Sequence, residues 1–491
     1  MKNKLAYIVL LVFVFFSKMN SQNCIFDTIN SDLRTEYVSS DQSDKLDFLN
    51  FISDNIKYHF SDNYYWVDSN GITIEYNELL YDNFSKSVVA FDSIRSIKGK
   101  LQPIQTRIGD NLLLNRDLFD DCIASSEKAV YEYNNKNIIY EYLLPYRITS
   151  EPIQNWWKPY NKRFNIFSVP GDLKKTIQNI IDNVNQWFVC TYNIERRTDP
   201  IPYLGSMQLL HRKKGGCEDA ANLMTFALRS IGIPCAVDVI PYWGTSTGGH
   251  VLNTAFDSNG NAVHFDALIN SENLYEMIRE PSKVFRITYS NNVCTLPNIL
   301  SVNDIPNYGM LRSRNYVDVT NEYWDVSDIV YSVPDTICDK IIYSSVYNGG
   351  KWKPVWYANN INSLAKFSKM VEGVLYCPMI YDIEKSKLVP VGNPKAYSNG
   401  HILSFEPSTE KISIKVDELS GYLKYRMGKV YTLYYYDKKW KMIQRKIPNT
   451  GTTRLSFNNV PKNAILLLLP EDSKGKERPF TMNEKGKRLW W

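Results

Sequence analysis

The chain has 491 residues, 44% hydrophobic and 22% charged, which excludes a disordered polymer and is too long for one ordinary core. Its net charge is only +5 and its basic residues are scattered, so a nucleic-acid partner is not expected. The 34 tyrosines and 11 tryptophans favour β-rich modules with large aromatic surfaces.

Lys2 and Lys4 precede an apolar run from Leu5 to Phe16, and the short polar stretch Ser17 to Ser21 follows. That is the plan of an export signal, so residues 1–21 read as a signal peptide. The protein is then expected to be exported: periplasmic, outer-surface or secreted. Removing Lys2, Lys4 and Lys18 brings the net charge of +5 to about +2. The apolar run is too short for a membrane span, and no other stretch approaches spanning length. Lipid anchoring at Cys24 is the alternative; it is disfavoured because Gln22 and Asn23, not small residues, stand before that cysteine.

Residues 42–60 place Leu46, Leu49, Phe51, Ile52 and Ile56 at mostly helical spacing. They open an N-terminal helical or mixed region, 22–145. A core follows at 146–310, approached through Leu144-Pro145-Tyr146-Arg147 and Trp156-Trp157. Residues 172–188 predict a helix with Ile177, Ile180, Ile181 and Val184 inside. Beyond residue 310, runs such as Lys340–Val346, Val374–Tyr381, Ile412–Val416 and Val430–Tyr436 alternate with turn residues. They predict a β-sandwich module at 311–395 and a C-terminal β module at 396–491. The eight cysteines are widely spaced with no CxxC pair, so no metal framework and no cofactor is expected.

The informative stretch is 211–267. Gly215-Gly216 permits a tight turn, and Ala220, Leu223, Met224, Ala227, Leu228 and Ile231 then recur on one helical face. Gly232 and Pro234 end the helix. Cys217 therefore sits at a helix N-terminus, whose positive end and open N–H groups favour a thiolate and can receive an oxyanion. The preceding cluster His211-Arg212-Lys213-Lys214 reads as a solvated loop.

His250, after Gly248-Gly249, opens a strand to Asp257; Ser258-Asn259-Gly260 turns; Ala262 to Ala267 returns. If Gly260 is left-handed in a three-residue loop, Asp257 pairs with Asn261. Counting outwards puts Asp266 opposite Leu252, which shares the face of His250. Asp266 is then diagonal to His250, about 7–8 Å away at Cα. An even-length loop would put the two on opposite faces.

Gly-Gly-Cys217-Glu-Asp-Ala-Ala, Leu228 to Pro234, Gly-Gly-His250 and Phe265-Asp266 together resemble the transglutaminase-like superfamily, whose core is papain-like. The flanks resemble exported, Bacteroidetes-type multidomain members. The resemblance implies an α+β protein with Cys217 as nucleophile, His250 as general base and acid, and Asp266 as its orienting partner. Leu252 stands where an aromatic is frequent in the family, and Gly216 where an acid is frequent.

His264 competes with His250, and Asp257 with Asp266, although the hairpin register turns Asp257 away. Gln208, His211, Tyr192 and Trp187 are candidates to complete the cleft, each with structural work as its plainer reading. The expected activity is cysteine-dependent acyl transfer on peptide, protein or glycopeptide amides, resolved by water. The alternative is an inactive scaffold binding glycan or protein. Trp352, Trp356 and Tyr357 offer a sugar platform, with sheet packing the plainer reading.

Overall fold

The computed structural model describes residues 25–130, 132–191, 204–267, 274–275, 277, 279–419, 422–483 and 486–491. The signal segment, Cys24 and Tyr192 lie outside the described residues. The chain divides into two compact units. The first comprises Met1–Val237, Val251–Tyr275 and Ile287–Asn291; the second comprises Asp238–His250, Glu276–Arg286 and Asn292–Trp491. Among the described residues no helix is long and apolar enough to cross a membrane.

The first unit opens with helices α1 (Ile25–Ser39) and α2 (Ser43–Asn55), the second of which buries Phe48, Leu49 and Ile52 as its spacing predicts. Strands β1 (Phe60–Val67) and β2 (Gln102–Gly109) pair antiparallel from Phe60↔Gly109 to Val67↔Gln102. Between them runs α3 (Phe84–Lys98), and after them α4 (Arg116–Val130) and α5 (Lys136–Tyr142). The Leu-Pro-Tyr-Arg segment is a buried polar knot. Arg147 pairs with Asp110, which also accepts from Tyr146 (2.7 Å) and Ser61 (2.9 Å). A buried charge needs such partners to be tolerated.

Helix α6 (Trp157–Phe164) precedes α7 (Leu173–Asn185), where Ile177, Ile180, Ile181 and Val184 face inward as expected. Asp172 caps α7 by accepting from Lys175 N–H at 2.9 Å. Next come α8 (Ser206–Arg212) and α9 (Cys217–Ser230). The spacing of α9 predicted one buried face, but every residue from Ala220 to Ser230 is buried. It is a central helix, and several of its polar members find partners on or beyond it. Thr225 donates to Ala221 O (3.0 Å), while Arg229 reaches the carbonyls of Cys235, Pro145 and Arg147 (2.9–3.1 Å).

The expected solvated loop at 211–214 is overturned at Arg212. That side chain is buried at the end of α8 and forks onto Glu78, Nε to Oε2 at 2.7 Å and Nη2 to Oε1 at 2.8 Å. The ring of Phe84 lies 5.2 Å from the guanidinium. Arginine's planar, weakly hydrated head suits such a buried fork.

Strand β3 spans Cys235–Ile240, β4 spans His250–Phe256 and β5 spans Ala262–Phe265. In the second unit, β6 (Phe285–Ile287) pairs with β3 through Asp238↔Arg286 and Val239↔Phe285. Arg286 bridges Asp238 and Glu322, each at 2.8 Å.

An eight-stranded antiparallel sheet follows. Its path is Val326–Ser332, Leu364–Val371, Lys351–Ile361, Ile341–Asn348, Leu375–Asp382, Lys395–Ser398 and His401–Ser404, with Lys387–Pro390 added on Leu375–Asp382. All eight positions of Ile341–Asn348 are buried, as befits a strand covered on both faces. At the C-terminus the pair Lys411–Asp417/Arg454–Pro461 and a five-stranded sheet share one core, including Val416, Phe457, Leu433, Leu468 and Phe480. Two sheets closing on one core is sandwich packing.

The aromatic trio packs inside this unit. Trp352 meets Tyr347 and Tyr436 edge-on, Trp356 stacks on Phe285 under the Lys283 ammonium, and Tyr357 donates to Cys294 O.

Candidate active site

Cys217 is positioned by its approach. Lys213 ends α8 in the left-handed region (φ 57°), and Lys214–Gly215 then pair parallel with Val189–Cys190. Asp219 reaches back to accept the N–H of Gly216 at 2.7 Å, satisfying one open donor of α9. A Cβ on Gly215 would collide with that Asp219 side chain, so the cap requires glycine there. Cys217 follows as the first residue of α9, half-buried, while the helix behind it is sealed in the core.

Strand β4 is tied to the same helix. Asn253 Nδ2 donates to Ala221 O and Thr225 Oγ1, both at 2.9 Å. The β4–β5 hairpin adopts the register expected from the odd turn. Asp257 N–H donates to Asn261 O at 3.1 Å, Gly260 is left-handed at φ 87°, and Thr254↔His264 and Asn253↔Phe265 face each other. The returning strand is shorter than expected. It ends at Phe265, and buried Asp266 donates its N–H to Leu274 O (3.0 Å) instead of continuing the ladder.

The two competitors have other work. Asp257 Oδ1 accepts from the N–H groups of Asn259 (2.9 Å) and Asn261 (2.8 Å); desolvation raises its carboxyl, but the hydrogen bonds from the Asn261 side chain and these N–H groups together outweigh it and hold it below the usual range. It is a turn acid. His264 shares a 2.8 Å hydrogen bond through Nδ1 with Thr254 opposite, and its ring meets Tyr275 edge-on at 6.0 Å.

His250 is the first residue of β4 and belongs to the second unit, where its ring stacks on Trp243 at 5.9 Å. The loop before it is tightly built. A Cβ at Gly249 would strike the carbonyl oxygens of Ile240 and Pro241, and Gly248 is left-handed at φ 76°. The backbone therefore approaches closely at Gly249. A residue that the sequence did not announce holds this loop. Asn348 is buried, and its Nδ2 donates to the carbonyls of Ser246 (2.7 Å), Gly248 (2.9 Å) and Trp243 (3.1 Å). Its Oδ1 accepts from Gly248 N–H at 3.2 Å.

Within the first unit, Cys217 and Asp266 both act on Cys190. Burial pushes the Cys190 thiol up to about 11, and electrostatic interaction with Cys217, Asp266 and Asp219 pushes in the same direction. Cys190 was not singled out in the sequence. It reaches the site through the short parallel pairing that sets it beside Gly215. Of the cleft candidates, Gln208 caps α8 by accepting from Gly205 N–H (2.7 Å), and Trp187 donates to Asn183 (3.0 Å) beneath Arg163. His211 Nε2 is buried with no partner among the described residues. Burial lowers that imidazole's affinity for a proton. Among the described residues no cluster of acids, histidines and cysteines could hold a metal.

Residues 170–267 match the family described as the transglutaminase-like superfamily, in its core domain. That stretch of the chain is similar to the core of the superfamily, which is in general enzymatic. No curated protein matches the chain. Among solved structures, red sea bream transglutaminase aligns at 10% identity over 77% of this chain and 74% of that chain, with a TM-score of 0.21. At that score nothing is carried over from it.

Proposed function

We propose that this protein is an exported cysteine hydrolase that cleaves amide bonds of peptides or glycopeptides through Cys217, His250 and Asp266. The observation that supports it best is the place of Cys217: half-exposed, at the head of a buried helix, in a domain of a cysteine acyl-transfer superfamily. The open N–H groups of the first helical turn suit an oxyanion. In this reading the Cys217 thiolate attacks the carbonyl carbon, forming a C–S bond. His250 gives its proton to the leaving amine as the C–N bond breaks. Water, deprotonated by His250, then releases the acid and frees the thiolate.

The hairpin supports Asp266 as the orienting acid. The pairing Asn253↔Phe265 is the odd-turn register that this assignment needs, and Asp266 follows Phe265 directly. Water is the favoured acceptor because the sequence holds no recognisable site for an amine donor. Export rests on Lys2, Lys4 and the apolar run behind them.

The test is mass spectrometry of the folded protein after a brief exposure to a mixed peptide and glycopeptide pool. An acyl adduct on Cys217, absent in Cys217→Ser, is the expected result. A Cys217 that acquires no adduct and alkylates no faster than a buried thiol would overturn the reading in favour of an inactive scaffold. Free glycan among the products would assign the cleaved bond to a glycopeptide linkage; shortened peptides would assign it to the peptide backbone.

A further inference from the structure

The closing residues of the chain line a cavity that the acyl-transfer chemistry leaves unused. Its volume is about 580 Å³, and it lies along the last strands of the five-stranded sheet, Leu466–Pro470, Phe480–Met482 and Arg488–Trp490. Lys424, Arg426, Lys474, Lys476, Arg478 and Arg488 line it, against the carboxylates of Asp472 and Glu477. In a chain whose total charge is +5, this is a concentration of positive charge in one hollow.

The floor is aromatic. The Arg488 guanidinium lies 4.9 Å from the Trp490 ring and 6.0 Å from Phe480. Tyr422, 43% exposed, meets Trp490 edge-on at 4.9 Å. Arg488 donates through Nη2 to Asp417 O at 2.6 Å, but its Nη1 is buried with no partner among the described residues. Burial draws both Arg478 and Arg488 below the usual guanidinium range. A desolvated cation with an unused donor gains from an anion brought from outside.

A second cavity of about 480 Å³ shares Tyr422, Lys476, Glu477 and Arg478 with the first and reaches Thr245, Ser246 and Thr247. Those three residues belong to the loop that Asn348 holds. Through these shared residues the two hollows adjoin as one groove.

We infer that this groove binds an acidic oligosaccharide, a run of sugar rings carrying carboxylate or sulfate groups. The cations meet the charged groups and the rings of Tyr422 and Trp490 pack against sugar faces. Asp472 and Glu477 decide against a denser polyanion: carboxylates accept protons from sugar hydroxyls but repel closely spaced phosphates. The assignment does not depend on Cys217.

Titration calorimetry of the full chain tests it with four probes: an oligogalacturonate, a sulfated oligosaccharide, a neutral gluco-oligosaccharide and a polyglutamate peptide of matched charge. At least one acidic oligosaccharide is expected to bind, identifying uronate or sulfate as the group recognised. The neutral sugar and the peptide are expected to bind at least about tenfold more weakly. Tyr422→Ala and Arg488→Gln should each weaken binding by about tenfold, with circular dichroism showing both variants folded. Failure of both acidic sugars to bind, equal binding of polyglutamate, or affinity indifferent to Tyr422→Ala would overturn the assignment.

Discussion

Two histidines share one face of the β4–β5 hairpin in the proposed arrangement, and a substitution of each separates their roles. His264 is engaged with Thr254, whereas His250 stacks on Trp243. If His250 is the base, His250→Gln lowers the rate of Cys217 alkylation by iodoacetamide at neutral pH by about tenfold or more, because the thiolate loses its imidazolium partner. His264→Gln leaves that rate within about twofold and lowers stability by about 1 kcal/mol through the lost hydrogen bond. The reverse pattern would hand the role to His264. The cap beneath Cys217 is open to the same kind of check. Asp219→Ala removes the acceptor for Gly216 N–H and should cost about 1 kcal/mol in urea denaturation. The glycines and the odd turn were legible in the sequence because such rules are local, whereas the Asp219 cap was not read there. Gly215, Gly249 and Gly260 each stand where a Cβ or a left-handed backbone decides the matter. Cys190 was not legible, since nothing within its own segment announces that Val189–Cys190 pair with Lys214–Gly215.

At the scale of elements, helix α9 shows what periodicity can miss. Its apolar spacing is that of a one-sided helix, yet Asn222, Thr225, Arg229 and Ser230 are buried as well. Residues distant in sequence supply part of their satisfaction: Asn253 to Thr225, and the Pro145 and Arg147 carbonyls to Arg229. A sequence pattern sees the polar letters but not the partners that pay for their burial. The expected strands beyond residue 310 were found within a residue or two, from Ile341–Asn348 to Tyr431–Tyr436. Their order in the sheet was not foreseen, because alternation fixes a strand's faces and not its neighbours. Asn348 lies at the end of one such strand and bonds to a loop about a hundred residues earlier. Asn348→Ala should cost about 2–3 kcal/mol, since it leaves carbonyls at Trp243, Ser246 and Gly248 without their donor. Amide exchange at Trp243 and Gly248 should quicken accordingly. Asn348→Asp, nearly identical in shape, should cost at least as much, because it sets a carboxylate against those same oxygens. A conservative, milder effect in Asn348→Asp would show that shape, not donation, holds the loop.

The first unit draws three separated stretches of chain together, and buried polar groups mark where they meet. Glu141 Oε2 accepts from the N–H groups of Tyr289 (2.8 Å) and Ser290 (3.0 Å), and Asn55 accepts from Asn291 N–H (3.0 Å). His59 completes the junction: its Nε2 donates to Tyr289 O at 2.7 Å and its ring stacks on Tyr289 at 4.1 Å. Burial, aided by the nearby positive charge of Arg147, lowers its pKa from 6.5 to about 4. The unfolded chain therefore takes up a proton at this group at higher pH than the folded one. Between pH 6.5 and 4 the unfolded state binds more protons, so stability falls as pH drops through that window and the full effect is felt below it. For a group this deeply buried the loss is on the order of 2–3 kcal/mol. His59→Gln keeps a donor for Tyr289 O but cannot take up the proton. Urea denaturation at pH 7 should show the two proteins within about 1 kcal/mol of each other. At pH 4.5 His59→Gln should have gained on the wild-type chain by most of that 2–3 kcal/mol. Carboxylates common to both proteins cancel in the difference, so parallel stability curves would show that His59 is not the group that titrates.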